Sequence, residues 1–132
     1  MVPRFTSPGL LLACMAFAGT ARAEDLYLDK IKPLLRERCL ACHGALAQKG
    51  KLRLDTAHLA HQGGRNGPAV LAGKVDDSPL LERVSRAEEA PGRMPPEGKP
   101  LTPEQIAWLK DWIRQGAQGP ANEKAETDPK DH

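Results

Sequence analysis

Between Glu24 and Arg38 the apolar positions Tyr27, Ile31, Leu34 and Leu35 recur at helical spacing, with Asp29, Lys32, Arg36 and Glu37 between them. That is the pattern of a helix burying one face. Pro33 interrupts it, and because proline is tolerated in a first turn but not in an interior, the spacing predicts a kink or a helix proper that starts near Ile31. A second strong pattern opens at Thr102 as N-cap, with Pro103 at the first helical position, Glu104 and Gln105 in the first turn, and Ile106, Leu109 and Ile113 on one stripe. It predicts a helix ending at Gly116 or Gly119, with Trp108 and Trp112 along the edge of the stripe. A shorter helix follows Ser78 as cap and Pro79 as first residue, through Leu80, Leu81 and Val84.

The stretches between these helices are loops. From Gly44 to Gly73 the chain is glycine-rich, with one strand-like or extended piece at Leu52-Arg53-Leu54-Asp55 and a turn at Gly63-Gly64-Arg65-Asn66-Gly67-Pro68. A second loop, Ala90 to Pro100, contains four prolines. Residues 119–132 hold no apolar group beyond Ala and Pro and are expected to form a disordered polar tail. The pattern predicts an all-α domain over 24–118 whose long loops wrap round something.

Residues 1–23 change the picture. Arg4, an apolar run from Gly9 to Gly19 and the small-x-small triplet Ala21-Arg22-Ala23 form an export signal, so the mature chain is expected to begin at Glu24. The run is shorter than the roughly 20 residues of a membrane span, so no transmembrane segment is expected in the mature chain. Leu11-Leu12-Ala13-Cys14 also has the order of a lipoprotein site that would tether a lipidated Cys14 to a membrane. Pro8 and Gly9 break the short apolar core ahead of that cut and favour cleavage after Ala23. A periplasmic or otherwise exported protein results.

Of the 19 basic residues, Arg4 and Arg22 leave with the signal and no acid does, so 17 face 17 acidic residues. This balance offers no footing for a nucleic-acid or anionic-membrane partner. Phe5 and Phe17 leave as well, and Tyr27, Trp108 and Trp112 remain as the aromatics of the mature chain. So few large core groups suit a domain whose core is completed by a large apolar ligand.

Cys39-Leu40-Ala41-Cys42-His43 names that ligand. It is the attachment pattern for haem c: two thiols at this separation reach the two vinyl groups on one porphyrin edge, and the histidine beside them ligates iron. A disulfide or thioredoxin-like redox pair would suit an oxidising compartment, but the redox motif normally sits at the start of a helix within a βαβ pattern, which is absent. A zinc site would need a second ligand pair, for which His58 with His61 is a weak candidate. Met94 is the one methionine outside the signal, in Arg93-Met94-Pro95-Pro96. The prolines fix the backbone beside its thioether, and a Met/His pair raises the potential of a haem couple. His58 and His61 are rival sixth ligands. Trp108 and Trp112 fit as core against the first helix or the haem edge, and Lys49, Lys51 and Arg53 form a small basic cluster that could face a redox partner.

The chain resembles the planctomycete-type cytochrome c domain family of the class I cytochrome c superfamily. The resemblance runs from about Ile31 to Ala117. It rests on Ile31-Lys32-Pro33-Leu34-Leu35 before Cys39-Leu40-Ala41-Cys42-His43-Gly44, then Gly50-Lys51-Leu52-Arg53-Leu54-Asp55. Gly63-Gly64, Gly67-Pro68-Ala69-Val70, Ser78-Pro79-Leu80-Leu81, Met94-Pro95-Pro96, Leu101-Thr102, Trp112-Ile113 and Gln115-Gly116-Ala117 continue it. It implies a small all-α cytochrome c-like fold of three to five helices wrapped round one covalent haem c, the first and last helices crossing, with His43 proximal and Met94 distal. The function implied is an electron carrier between redox partner proteins. A haem enzyme such as a peroxidase, or a gas sensor, is the rival; it needs an open iron site that a bound Met94 would deny.

Overall fold

The computed structural model describes residues 1–4, 9 and 24–131. The rest of the predicted export signal, with Cys14, lies outside the described residues. Helix α1 is helical from residue 24; its part Tyr27–Ile31 is π-helical and runs directly into the α-helical part Lys32–Arg38. The predicted kink or late start at Pro33 is replaced by a change of helical register. The backbone N–H of Lys32 donates to Tyr27 O, five residues back. This widened turn immediately before Pro33 gives the pyrrolidine ring room that a regular α-turn denies it.

Three further helices follow among the described residues: α2 (Ala57–Gln62), α3 (Pro79–Val84) and α4 (Pro103–Arg114). No strand is found there, and the only ladder pairings are isolated bridges between His43 and Gln48 and between Gly64 and Gly67. Leu52–Asp55 belongs to no sheet. Helix α4 starts as its sequence predicts: Thr102 Oγ1 accepts from Gln105 N at 3.2 Å and Gln105 Oε1 from Thr102 N at 2.9 Å, a reciprocal cap that satisfies two otherwise free N–H groups. It stops before Gly116, which takes φ 105°. Ser78, in contrast, occupies the cap position of α3 without capping it. Its buried hydroxyl donates to Lys74 O at 2.8 Å and accepts from Leu71 N at 2.9 Å, closing the loop ahead of the helix.

The apolar stripes of α1 and α4 meet in the core. Helix α4 packs on the first part of α1 and on α3. Tyr27 and Trp112 stack at 5.6 Å between centroids and 26° between planes, worth about 0.5–1.5 kcal/mol beyond the area they bury. Trp112 is 1% exposed and its Nε1 donates to Gln118 O at 3.0 Å, so burial leaves no unpaired indole N–H. Trp108 stays half-buried under Lys30, whose Nζ lies 5.0 Å from the ring centroid.

The segment after α4 departs from expectation, because residues 119–126 are fastened to the core where their polar composition predicts disorder. The Glu123 carboxylate accepts from Tyr27 Oη at 2.6 Å, Lys32 Nζ at 2.6 Å and Ala57 N at 2.8 Å. Three residues on, Glu126 N donates to Asp55 Oδ2 at 2.8 Å, and Arg53, forked on Asp55, reaches Glu126 O at 2.7 Å. Gly119 lets the chain pass this close: a Cβ there would sit 2.9 Å from Ala57 Cβ and 3.0 Å from the Tyr27 ring. Composition predicts disorder for want of apolar burial, but here one buried carboxylate with three donors supplies the anchorage. Burial, reinforced by Glu123, holds the Tyr27 phenol above its ordinary pKa. Burial alone would raise the Asp55 carboxyl, but the Arg53 fork and the Glu126 amide outweigh it and hold it below the usual value.

Replacing Glu123 by Ala takes the carboxylate from the buried Tyr27 phenol and leaves the Lys32 ammonium with Asp55 O but no counter-ion, and we expect a loss of about 3 kcal/mol, measured by denaturant unfolding. Asp55, with its folded pKa lowered, adds stability that is present above its unfolded value of about 3.9 and lost as pH falls through the folded value. Asp55→Asn is therefore expected to unfold more easily at pH 7 and to show a shallower loss of Tm below about pH 4 than the parent chain.

Candidate functional site

Opposite no single helix but among the loops lies an apolar cleft of about 300 Å³, lined by Cys39, Cys42, His43 and Met94 together with Leu52, Leu54, Ala69, Leu80 and Val84. All four residues singled out by motif and elimination thus share one site.

The end of α1 presents the motif. Cys39 N still bonds Leu35 O at 2.8 Å, and His43 N bonds Cys39 O at 2.9 Å, so the five residues form a further turn beyond the helix. Gly44 lets the chain leave it tightly, since a Cβ there would lie 2.4 Å from Leu40 O. His43 Nδ1 donates to Lys49 O at 2.9 Å. In the neutral ring that bond places the proton on Nδ1 and the lone pair on Nε2, the form in which imidazole ligates a metal. His43 O in turn accepts from Leu54 N at 2.8 Å, tying the motif to the cleft wall.

Cys39 and Cys42 are both free thiols. Burial pushes the Cys39 thiol up to about 11, against the pull of Arg38 and with a push from Cys42. A thiol so held is protonated at neutral pH, the opposite of the lowered pKa that marks redox-active dithiols and thiolate zinc sites. Among the described residues no three of His, Cys, Asp and Glu gather as a metal cage. The two cysteines, one imidazole of fixed tautomer, one thioether and the apolar walls suit covalent haem c as a donor set.

Met94 is half-buried against the core, and its N–H donates to Arg83 O at 3.1 Å. The rival histidines lie elsewhere: His58 is exposed and His61 Nε2 donates to Ala117 O at 2.8 Å. Both line a separate groove between α2 and the segment after α4, and neither lines the cleft. The two tryptophans do not line it either. The basic cluster at Lys49, Lys51 and Arg53 does not assemble as one face, because Arg53 is spent on Asp55 and Glu126. The cations that do border the cleft include Arg38, Arg65 and Arg83, and no carboxylate joins them. Linear spacing gave no sign of this set, since its members come from three separate segments.

Residues 39–98 match the family model described as Planctomycete cytochrome C. Over this stretch the chain is similar to the planctomycete cytochrome c family. The match opens on Cys39 and closes just after Met94, so it takes in the motif, the cleft-lining loops and α3 and leaves α1 and α4 outside. That likeness suggests a c-type cytochrome, a family whose cofactor is covalently bound haem c. No curated protein and no solved structure matches the chain. No helix among the described residues is long and apolar enough to cross a membrane.

The cleft depends on one backbone position in particular. Gly63 ends α2 at φ 73° and ψ −159°, a region open in practice to glycine alone, and a Cβ there would fall 1.9 Å from Gly67 O. Gly63→Ala is expected to cost about 3 kcal/mol by forcing apart the Gly64–Gly67 turn at the cleft wall, seen as a lowered Tm.

Proposed function

We propose that this chain is an exported monohaem c-type cytochrome that carries single electrons between redox partner proteins. The observation that carries the reading is the convergence on one apolar cleft of Cys39, Cys42 and His43 with Met94, fifty residues further along. Bound there, haem would supply a one-electron ferric/ferrous couple. Cys39 and Cys42 would hold it through thioethers, each formed by adding S–H across a vinyl group of the porphyrin. His43 would give iron its Nε2, with the ring oriented and made more basic by the Nδ1 bond to Lys49 O. Met94 would fill the second axial position. With His43 and Met94 both given to the iron, a substrate would find no open place there, which favours a carrier over a peroxidase. The apolar wall of Leu52, Leu54, Leu80 and Val84 keeps water from the site and so limits the reorganisation that accompanies a change of charge. Residues 1–23 would direct export and be removed, consistent with an oxidising compartment in which haem c is attached.

The deciding experiment is an absorption spectrum and acid–acetone extraction of protein made in a host with cytochrome c maturation. A sharp α-band in the reduced protein, with haem that stays on the polypeptide, is expected; a colourless protein, or haem that extracts freely, overturns the reading. Met94→Ala is expected to keep its haem and lose the far-red charge-transfer band of the ferric protein. Its potential should fall by on the order of 0.1 V or more, a fraction of the roughly 0.8 V range that axial ligands command. A potential equal to that of the parent chain would remove Met94 from the iron.

A further inference from the structure

The loop that carries Met94 has no secondary structure of its own, yet it is tightly held, by a few backbone bonds such as Met94 N to Arg83 O and by a set of arginine side chains. Four arginines from three parts of the chain donate to its carbonyls. Arg83 reaches Gly92 O at 3.1 Å and Arg86 reaches Pro91 O at 2.7 Å. Arg38, beside the attachment motif, donates to Lys99 O. Arg93 works from inside, with Nε on Glu88 O at 2.9 Å and Nη2 on Gly98 O at 3.1 Å. It thereby joins the two ends of the segment that projects Met94.

Arg93 is the unusual member. Only 7% of it is exposed, no carboxylate pairs with it among the described residues, and its Nη1 is buried with no hydrogen-bond partner. Burying a guanidinium without a counter-ion is costly, so the site is poor as a source of stability. What the rigid fork of arginine does provide is two carbonyls held at a fixed separation, which the point charge of lysine cannot reproduce. Gly92 fits the same design. It takes φ 75°, and a Cβ there would fall 2.2 Å from Arg86 Nη1 and 2.5 Å from Arg83 Nη1. The loop is shaped so that guanidinium groups can reach it.

We infer that Arg93 is a positioning residue for Met94: with Arg38, Arg83 and Arg86 it holds the 88–99 loop in the form that keeps the thioether on the iron. The inference rests on the assignment of Met94 as axial ligand. A loop held this way keeps its shape when iron changes charge, and it resists displacement of Met94 by an outside ligand.

The test uses the holoprotein, comparing the parent chain with Arg93→Gln, Arg93→Lys, Arg86→Gln and, as a control on the exposed side of α1, Arg36→Gln. Three properties are read: the far-red band of the ferric protein, the rate of cyanide binding, and the potential. Arg93→Gln is expected to lose most of the band, to bind cyanide about tenfold faster and to shift to lower potential. Arg93→Lys should recover only part of each, Arg86→Gln should move the same way by less, and Arg36→Gln should match the parent. If Arg93→Gln yields no holoprotein, Arg93→Lys and Arg86→Gln carry the comparison. Variants at positions 93 and 86 that keep the parent's band, potential and cyanide rate overturn the positioning role. A parent protein without the band refutes Met94 ligation itself, and that result is read before any arginine variant is compared.

Discussion

The stack of Tyr27 on Trp112 is the contact on which the other arrangements depend. It holds the first and last helices together at one side of the molecule and so leaves the opposite demand, an apolar cleft without a filling side chain, to be met by the loops. With three aromatic residues beyond position 23, the chain spends its two best-buried rings on this contact and keeps none for the cleft. The cleft walls are leucine, valine and alanine, which are apolar without being bulky enough to occupy the space a flat ligand would take.

Around that stack the polar groups divide into two sets with different tasks. On one side, Glu123, Lys32, Asp55 and Arg53 form a carboxylate-centred network in which each buried charge has a partner of opposite sign, and its effect is to fasten the end of the domain to its beginning. On the other side, Arg38, Arg83, Arg86 and Arg93 donate to backbone carbonyls of one loop, Arg86 forking on Glu82 as well, and their effect is to shape that loop. The difference is physical: an ion pair is tolerant of angle, whereas the planar guanidinium of Arg93 on two carbonyls fixes distance and direction.

Much of this could be read from the residues, and what could not has identifiable causes. The cap of α4, the stripes of α1 and α4 and the attachment motif were legible because each depends on neighbours within a few positions. Met94 was found by elimination, and the cleft brings it beside the motif. The π turn at Pro33 was not legible, because spacing shows that proline must be accommodated but not how. Ser78 misled because the same residue that caps a helix can close the loop before it. The docking of residues 119–126 was missed because composition measures apolar burial and is blind to a single carboxylate that finds three donors from remote segments. The arginine-held loop was missed for the same reason, since its bonds end on carbonyls that every residue possesses.

The bond from Tyr27 to Glu123 spans 96 positions, and all the cleft-lining residues fall between its ends. In topological terms the domain is a ring fastened by a clasp, with the cleft on the ring and the clasp outside it. The two strands of chain at the clasp lie side by side, the geometry in which a short covalent join adds little closure entropy because the fold already holds the ends together. The domain can therefore be carried by sequence on either side of the clasp, or reordered by joining there and opening elsewhere, while the order of residues that build the cleft stays untouched.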